Sequence, residues 1–119
     1  MAQLMASTNP AFMNGVPELL VLRLLRSREM YGYEIVQAIR EETGEVVNLA
    51  EGVIYPLLHA LERGGALTSR RTAVNGRSRI YYALSPRGVS RLDELTGLWS
   101  RLTQALHQVI KGEGYVPGV

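Results

Sequence analysis

Seven arginines, Arg63, Arg70, Arg71, Arg77, Arg79, Arg87 and Arg91, fall in one stretch that contains no aspartate or glutamate. A guanidinium is a permanent cation with a planar fork of donors, so such a run suits a phosphate backbone or a guanine edge. Four of these cations, Arg70, Arg71, Arg77 and Arg79, flank Asn75-Gly76. Both of those residues tolerate positive φ, and the pair is a strong signal for a tight hairpin. A basic two-stranded ribbon lays its charge along a sugar–phosphate backbone or into a minor groove. Arg77, at the turn, is the first candidate for that contact.

Catalytic chemistry is poorly provided for. The two histidines, His59 and His107, belong to separate helical segments, no glycine-rich phosphate loop follows a strand, and no carboxylate pair has an obvious pocket. Cysteine is absent, which removes disulfides, thiolate metal sites and a thiol nucleophile. The expectation is a non-enzymatic protein with no catalytic residues, no metal and no cofactor. Residues 1–14 lack the basic flank and apolar stretch of a secretory leader, and no run approaches the roughly 20 apolar residues that span a bilayer. No membrane partner and a cytoplasmic location are expected.

At 119 residues the chain supports one small core, and its net charge of +2 conceals a segregation. Glu29, Glu34, Glu41, Glu42, Glu45 and Glu51 crowd the first half, and the arginine block dominates the second. Twelve of the thirteen basic residues are arginine; the other is Lys111.

The elements that must position these groups follow from periodicity. Pro17 opens a first helix whose apolar residues Val16, Leu19, Leu20, Val21, Leu22, Leu24 and Leu25 cover most of its circumference, so it should be deeply buried. A second helix over residues 31–43 places Tyr33, Ile35, Val36 and Ile39 on one face and stops at Gly44. A third, capped by Asn48 or Glu51 and starting no earlier than about Glu51, runs to Arg63, with Val53, Ile54, Leu57, Leu58 and Leu61 as its buried stripe. Pro56 lies near its start, where the lost hydrogen bond costs least. From residue 66 the period changes to that of a hairpin, residues 66–84, and Ser85-Pro86 then caps a long last helix over residues 86–111. The predicted fold is mainly α with a small β-hairpin: a winged helix-turn-helix over residues 15–85, a C-terminal helix over 86–111, a flexible arm at 1–14 and a flexible tail at 112–119.

Helices two and three, joined by a short polar loop, form a helix-turn-helix pattern that would present Asn48, Glu51, Gly52, Tyr55 and His59 to a major groove. With Arg70, Arg71, Asn75, Arg77 and Arg79 they make up the candidate DNA-binding set. Tyr55 has a second reading, as packing beneath the hairpin. In the last helix Leu92, Leu95, Trp99, Leu102, Leu106 and Val109 recur at spacings of three and four, a coiled-coil seam that calls for a partner helix. A homodimer through this seam would set two recognition helices on an inverted-repeat operator.

The segments Tyr31-Gly32-Tyr33-Glu34-Ile35, Gly52-Val53-Ile54-Tyr55-Pro56-Leu57-Leu58, Leu61-Glu62-Arg63-Gly64-Gly65 and Gly76-Arg77-Ser78-Arg79-Ile80-Tyr81-Tyr82 together resemble the PadR family of winged-helix transcriptional regulators. The resemblance covers roughly residues 16–106. It implies a homodimeric repressor with helix three as recognition helix, the hairpin as wing and the last helix as dimer element. By length the chain is similar to the small, multidrug-sensing subgroup with one C-terminal helix. Members of that subgroup use a tryptophan at this place to stack on flat, often cationic, drugs at the dimer interface. On that resemblance Val16, Leu20, Leu95, Trp99 and Leu102 would line a pocket for a small hydrophobic or planar aromatic effector; the other reading is that Trp99 only fills the seam. Two positions depart from the family pattern. Tyr31 stands where members commonly have histidine, and His59-Ala60 stands where a lysine or arginine often precedes the Leu-Glu pair, which shifts the expected DNA grip toward the wing. A protein-interaction module whose arginines meet acidic partners, and a promiscuous drug binder with a secondary DNA role, are the alternative functions.

Overall fold

The computed structural model describes residues 15–112, so the arm at 1–14 and all of the tail beyond residue 112 lie outside the described residues. Four helices and three short strands follow one another: α1 (Val16–Ser27), β1 (Met30–Tyr31), α2 (Gly32–Glu42), α3 (Glu51–Arg63), β2 (Leu67–Val74), β3 (Arg77–Leu84) and α4 (Pro86–Lys111). The strands form an antiparallel sheet in the order β1-β3-β2, so the expected hairpin gains a third strand. Met30 pairs with Tyr82 and Tyr31 with Tyr81. A two-residue strand carries no period of its own, which is why Met30 reads as part of a break and Tyr31 as the start of a helix in the sequence.

The core lies around α1, enclosed by α2, α3, the first turns of α4 and the base of the sheet. Val21, Leu22, Leu24 and Leu25 of α1 are buried with Ile35, Ile39, Ile54, Leu58, Leu67, Tyr82, Leu92 and Leu95. Two expected core residues lie elsewhere: Tyr33 and Val53 are about half exposed. Each sits one step off the apolar stripe of its helix, where Ile35 and Ile39, or Ile54 and Leu58, already fill the inner face.

Residues 43–50 turn α2 toward α3. The Thr43 hydroxyl donates to the Ile39 carbonyl at 2.7 Å and accepts from the Val47 N–H at 3.1 Å. Gly44 and Glu45 both take positive φ, 59° and 66°. The N-cap of α3 is Ala50 rather than Asn48, with no side-chain cap, and Glu51 is its first residue.

The wing closes through Asn75 and Gly76 at φ 52° and 78°, the pair of positive values that a type I′ turn requires. Val74 and Arg77 are the last pair before the turn. Opposed residues share a face, so Leu67, Ser69, Arg71, Ser78, Ile80 and Tyr82 stand on one side and Arg70, Arg77, Arg79 and Tyr81 on the other.

The wing's base, the end of α3 and the start of α4 meet at Ser85. Its backbone N–H donates to the Ala66 carbonyl at 3.0 Å, its hydroxyl donates to the Gly65 carbonyl at 2.6 Å, and the same oxygen accepts from the Gly88 N–H at 3.0 Å as the helix cap. Gly88 is bare for a reason: a Cβ there would lie 2.1 Å from the Ala66 carbonyl oxygen and 2.8 Å from the Leu84 side chain.

A second tie holds the outer face of the wing. The Arg70 guanidinium forms a two-pronged ion pair with Glu29, one arm at 3.0 Å, and lies 5.0 Å from the Tyr81 ring centroid. Tyr81 meets Tyr31 edge to face at 5.5 Å, and Arg79 sits 4.4 Å over Tyr31. Hydrogen bonding to Arg70 holds the Glu29 carboxyl below its ordinary value of 4.5.

Two outcomes follow for stability. Gly88→Ala must displace backbone at Ala66 and should lower unfolding stability by about 1–3 kcal/mol in denaturant titration, whereas Gly52→Ala, with nothing within 4 Å of the added carbon, should leave stability unchanged or raise it. Because the folded Glu29 pKa is depressed, the Glu29–Arg70 pair stabilises above pH 4.5 and ceases to do so as pH falls through the lower folded value. A double-mutant cycle on Glu29→Gln and Arg70→Met should show favourable coupling at pH 7 that declines progressively as the pH is lowered below 4.5; absence of coupling at pH 7 would refute the pairing.

Candidate nucleic-acid interface

The helix-turn-helix and the wing place the ten candidate DNA-binding residues on α3, the turn before it, and the β2–β3 ribbon. Asn48, Glu51, Gly52 and His59 are exposed, as are Arg71, Asn75 and Arg77. The N-terminal turn of α3 keeps its first backbone N–H groups without a side-chain cap, leaving donors and the positive end of the helix dipole pointing outward. Glu51 stands in that first turn and supplies the opposite charge. Pro56 lacks the N–H that would bond the Gly52 carbonyl, so that acceptor has no intrahelical partner either.

Tyr55 is partly buried, and its ring occupies the space beside Gly32: a Cβ on that glycine would lie 2.5 Å from Tyr55 Cε1 and 2.8 Å from its hydroxyl. Tyr55 therefore locks α3 against the start of α2 and lies beside the wing, at the rim of a cleft shared with Arg71, Ser78 and Ile80. Desolvation, then the Glu51 charge, pushes its phenol pKa up, so it stays a protonated donor. The short motif around Gly32 and the tyrosine of helix three are two halves of one contact.

The wing arginines divide by their partners. Arg77 projects at the turn, and Arg71 is exposed with one arm donating to Ser78 Oγ at 3.0 Å. Arg79 is half-buried over Tyr31. Arg70 is the exception, since Glu29 takes both arms of its fork. Outside the wing, Arg91 is likewise held by Glu18 of α1, at 3.0 and 3.2 Å, which raises its pKa. The arginine block contains no acid in sequence, yet the fold brings Glu29 and Glu18 to two of its members. No local pattern could have revealed these pairs, because the partners stand 41 and 73 residues away.

The α4 seam is divided as well. Leu92 and Leu95 are buried against the chain's own core, so these two belong to the single-chain interior. Leu98, Leu102, Leu106 and Val109 are 54, 45, 51 and 76% exposed. Trp99 is half-buried, with its ring edge 4.0 Å from where a Cβ on Gly15 would stand, so it reaches the N-cap of α1 in its own chain. Of the expected pocket residues, Val16 and Leu20 lie part-buried on α1, Leu95 is in the core and Leu102 faces outward. Among the described residues no three His, Cys, Asp or Glu side chains are grouped to hold a metal ion, and no helix is long and apolar enough to cross a membrane.

Residues 21–94, from the core of α1 through the wing to the third turn of α4, match the model of the transcriptional regulator PadR-like family. A transcriptional regulator of Mycobacterium tuberculosis is 28% identical over 107 residues, covering 90% of this chain and 94% of its own. A transcriptional regulator from Clostridium thermocellum has the same fold at TM-score 0.77 and 25% identity, over 84% of this chain and 95% of that one. Bacillus subtilis PadR, solved in complex with operator DNA, is 31% identical at TM-score 0.63, over 67% of this chain and 45% of that one. The helix-turn-helix, the three-stranded wing and the long helix that leaves it are thus those of a winged-helix regulator, and the chain belongs to the PadR-like family of transcriptional regulators.

Proposed function

We propose that two copies of this chain join through α4, bind an inverted-repeat operator and repress transcription from it, releasing DNA in response to a small planar, apolar effector. The observation that carries the reading is the surface shared by α3 and the wing, where His59, Arg71 and Arg77 are all exposed on one ribbon and one helix. The operator-bound Bacillus subtilis relative, similar in fold over 67% of this chain, supports DNA as the partner.

The dimer rests on a mismatch of lengths. At 1.5 Å per residue, the 26 residues of α4 extend about 39 Å, and the 12 residues of α1 can flank only about 18 Å of it. The distal half is left with Leu98, Leu102, Leu106 and Val109 uncovered. Each is already partly covered, so burying the remainder is worth about 1–2 kcal/mol per side chain, and a two-fold pairing of the same stripe would supply the cover. The effector reading rests on Trp99, a large aromatic surface at the boundary between the covered and uncovered halves of α4.

Selection from random duplex DNA should return two inverted half-sites about one helical turn, some 10 base pairs, apart. Arg77→Ala should weaken binding to every sequence and flatten the salt dependence of log K by about 0.9 per protomer. The double variant Leu102→Glu, Leu106→Glu should sediment as a monomer and lose the paired half-sites; recovery of a single asymmetric site by the unaltered protein would refute the inverted repeat. A flat cationic dye should quench Trp99 emission and lower operator affinity over the same concentration range. An unchanged spectrum at saturating dye removes the effector from the proposal.

A further inference from the structure

Between α3 and the wing lies a cleft of about 250 Å³ whose polar lining comes from Tyr31, Tyr55, His59, Arg71, Ser78 and Arg79. Every one of these side chains can donate a hydrogen bond, two are permanent cations, and no carboxylate lines the cleft. Two other surface clefts among the described residues differ on this point: one carries Glu41 and Glu45, the other Glu18. Charge and donor content therefore single out the cleft beside α3 as the one suited to an anion.

Its position in the fold specifies which anion. A helix seated in a major groove and a hairpin seated at the neighbouring minor groove must straddle the strand that separates those grooves. The backbone of that strand passes through the gap between the two elements, which here is this cleft. The geometry points to a seat for one phosphodiester of that strand, built from Arg71 and Ser78 of the wing and His59 and Tyr55 of α3. The seat rests on the DNA-binding reading above and deepens it residue by residue.

The parts are already arranged for the task. Arg71 Nη1 donates to Ser78 Oγ at 3.0 Å, which ties the guanidinium across the hairpin, where Arg71 and Ser78 both line the cleft. The Tyr55 ring is held by its contact with bare Gly32. His59, one helical turn beyond Tyr55, is exposed at the rim, at the position where a cation reaching back from α3 would meet the same phosphate. Arg70, by contrast, stands on the opposite face of the ribbon in its pair with Glu29 and takes no part in the seat.

The test uses the full-length protein and its selected operator, with Arg71→Met, Ser78→Ala and His59→Lys, and Arg70→Met as reference. Ethylation of single phosphates should reveal one inter-groove phosphate per half-site whose modification blocks wild-type binding. In Arg71→Met that interference should disappear while the others persist, and the salt slope should flatten by about 0.9 per protomer. Ser78→Ala should weaken binding severalfold without moving the slope. His59→Lys should tighten binding and steepen the slope by about 0.9 per protomer, a gain that misfolding cannot produce. Arg70→Met should leave the slope unchanged.

Persistence of the same interference in Arg71→Met, or an unaltered slope in His59→Lys, overturns the seat while leaving operator binding intact. Inhibition by inorganic phosphate beyond that of chloride at equal ionic strength would assign the cleft to a free anion and also overturn it. Failure to select any DNA sequence would instead bring down the DNA-binding reading, and the seat with it.

Discussion

The structure turns on the close approach of α4 to the base of the wing. Ser85 bonds to Gly65, Ala66 and Gly88 at once, and Gly88 leaves no room for even a methyl group against the Ala66 carbonyl. Helix α3 ends, the wing begins and ends, and α4 starts within this junction. Their mutual angles are therefore set by short backbone contacts rather than by long side chains that could adjust. A close-packed backbone junction has few alternative arrangements, so the recognition helix, the wing and the stem of α4 behave as one body.

Charge is arranged on that body by pairing as much as by composition. Two arginines are drawn into structural ties, Arg70 to Glu29 and Arg91 to Glu18. Each pair is exposed enough that its worth is modest, but each connects segments that no continuous helix or strand joins. Glu29 precedes β1 and Arg70 lies in β2, so their pair spans the sheet; Glu18 and Arg91 bridge α1 and α4. The cations left without such partners, Arg71 and Arg77 above all, lie toward α3 and the wing tip. Segregation that looked one-dimensional in the sequence becomes a division between arginines tied to a distant acid and arginines left toward α3 and the wing tip.

The helix boundaries of α3 and α4, the I′ turn at Asn75-Gly76 and the Ser85 cap were legible in the sequence because each has a local cause: a glycine that stops, a proline that starts, a pair of residues that tolerates positive φ. The third strand was not, since Met30 and Tyr31 pair with residues some fifty positions away and two residues show no alternation. The candidate site was legible in its residue types and illegible in its partners. Nothing near Arg70 in the chain announces Glu29, and nothing near Tyr55 announces that Gly32 must be bare to receive it. The heptad-like spacing of α4 is plain in the sequence, but spacing alone does not say who covers which residue. Leu92 and Leu95 meet their own core, and only the distal positions remain open.

That division of α4 constrains how any effector could act. An effector alters DNA affinity only by binding two arrangements unequally, and the Ser85 junction leaves little freedom within a protomer. In the proposed dimer that freedom would lie between protomers, along the uncovered half of α4 that begins at Leu98. Trp99 stands at that boundary, anchored on one edge by the N-cap of α1. A flat molecule seated on its other face would wedge one α4 from its mate without disturbing the junction. Because α4 is long and its stem is packed into the junction, a small change of crossing angle at Trp99 in that dimer would displace the whole recognition unit at the far end. The wings would then need no internal rearrangement to lose their register on the two proposed half-sites.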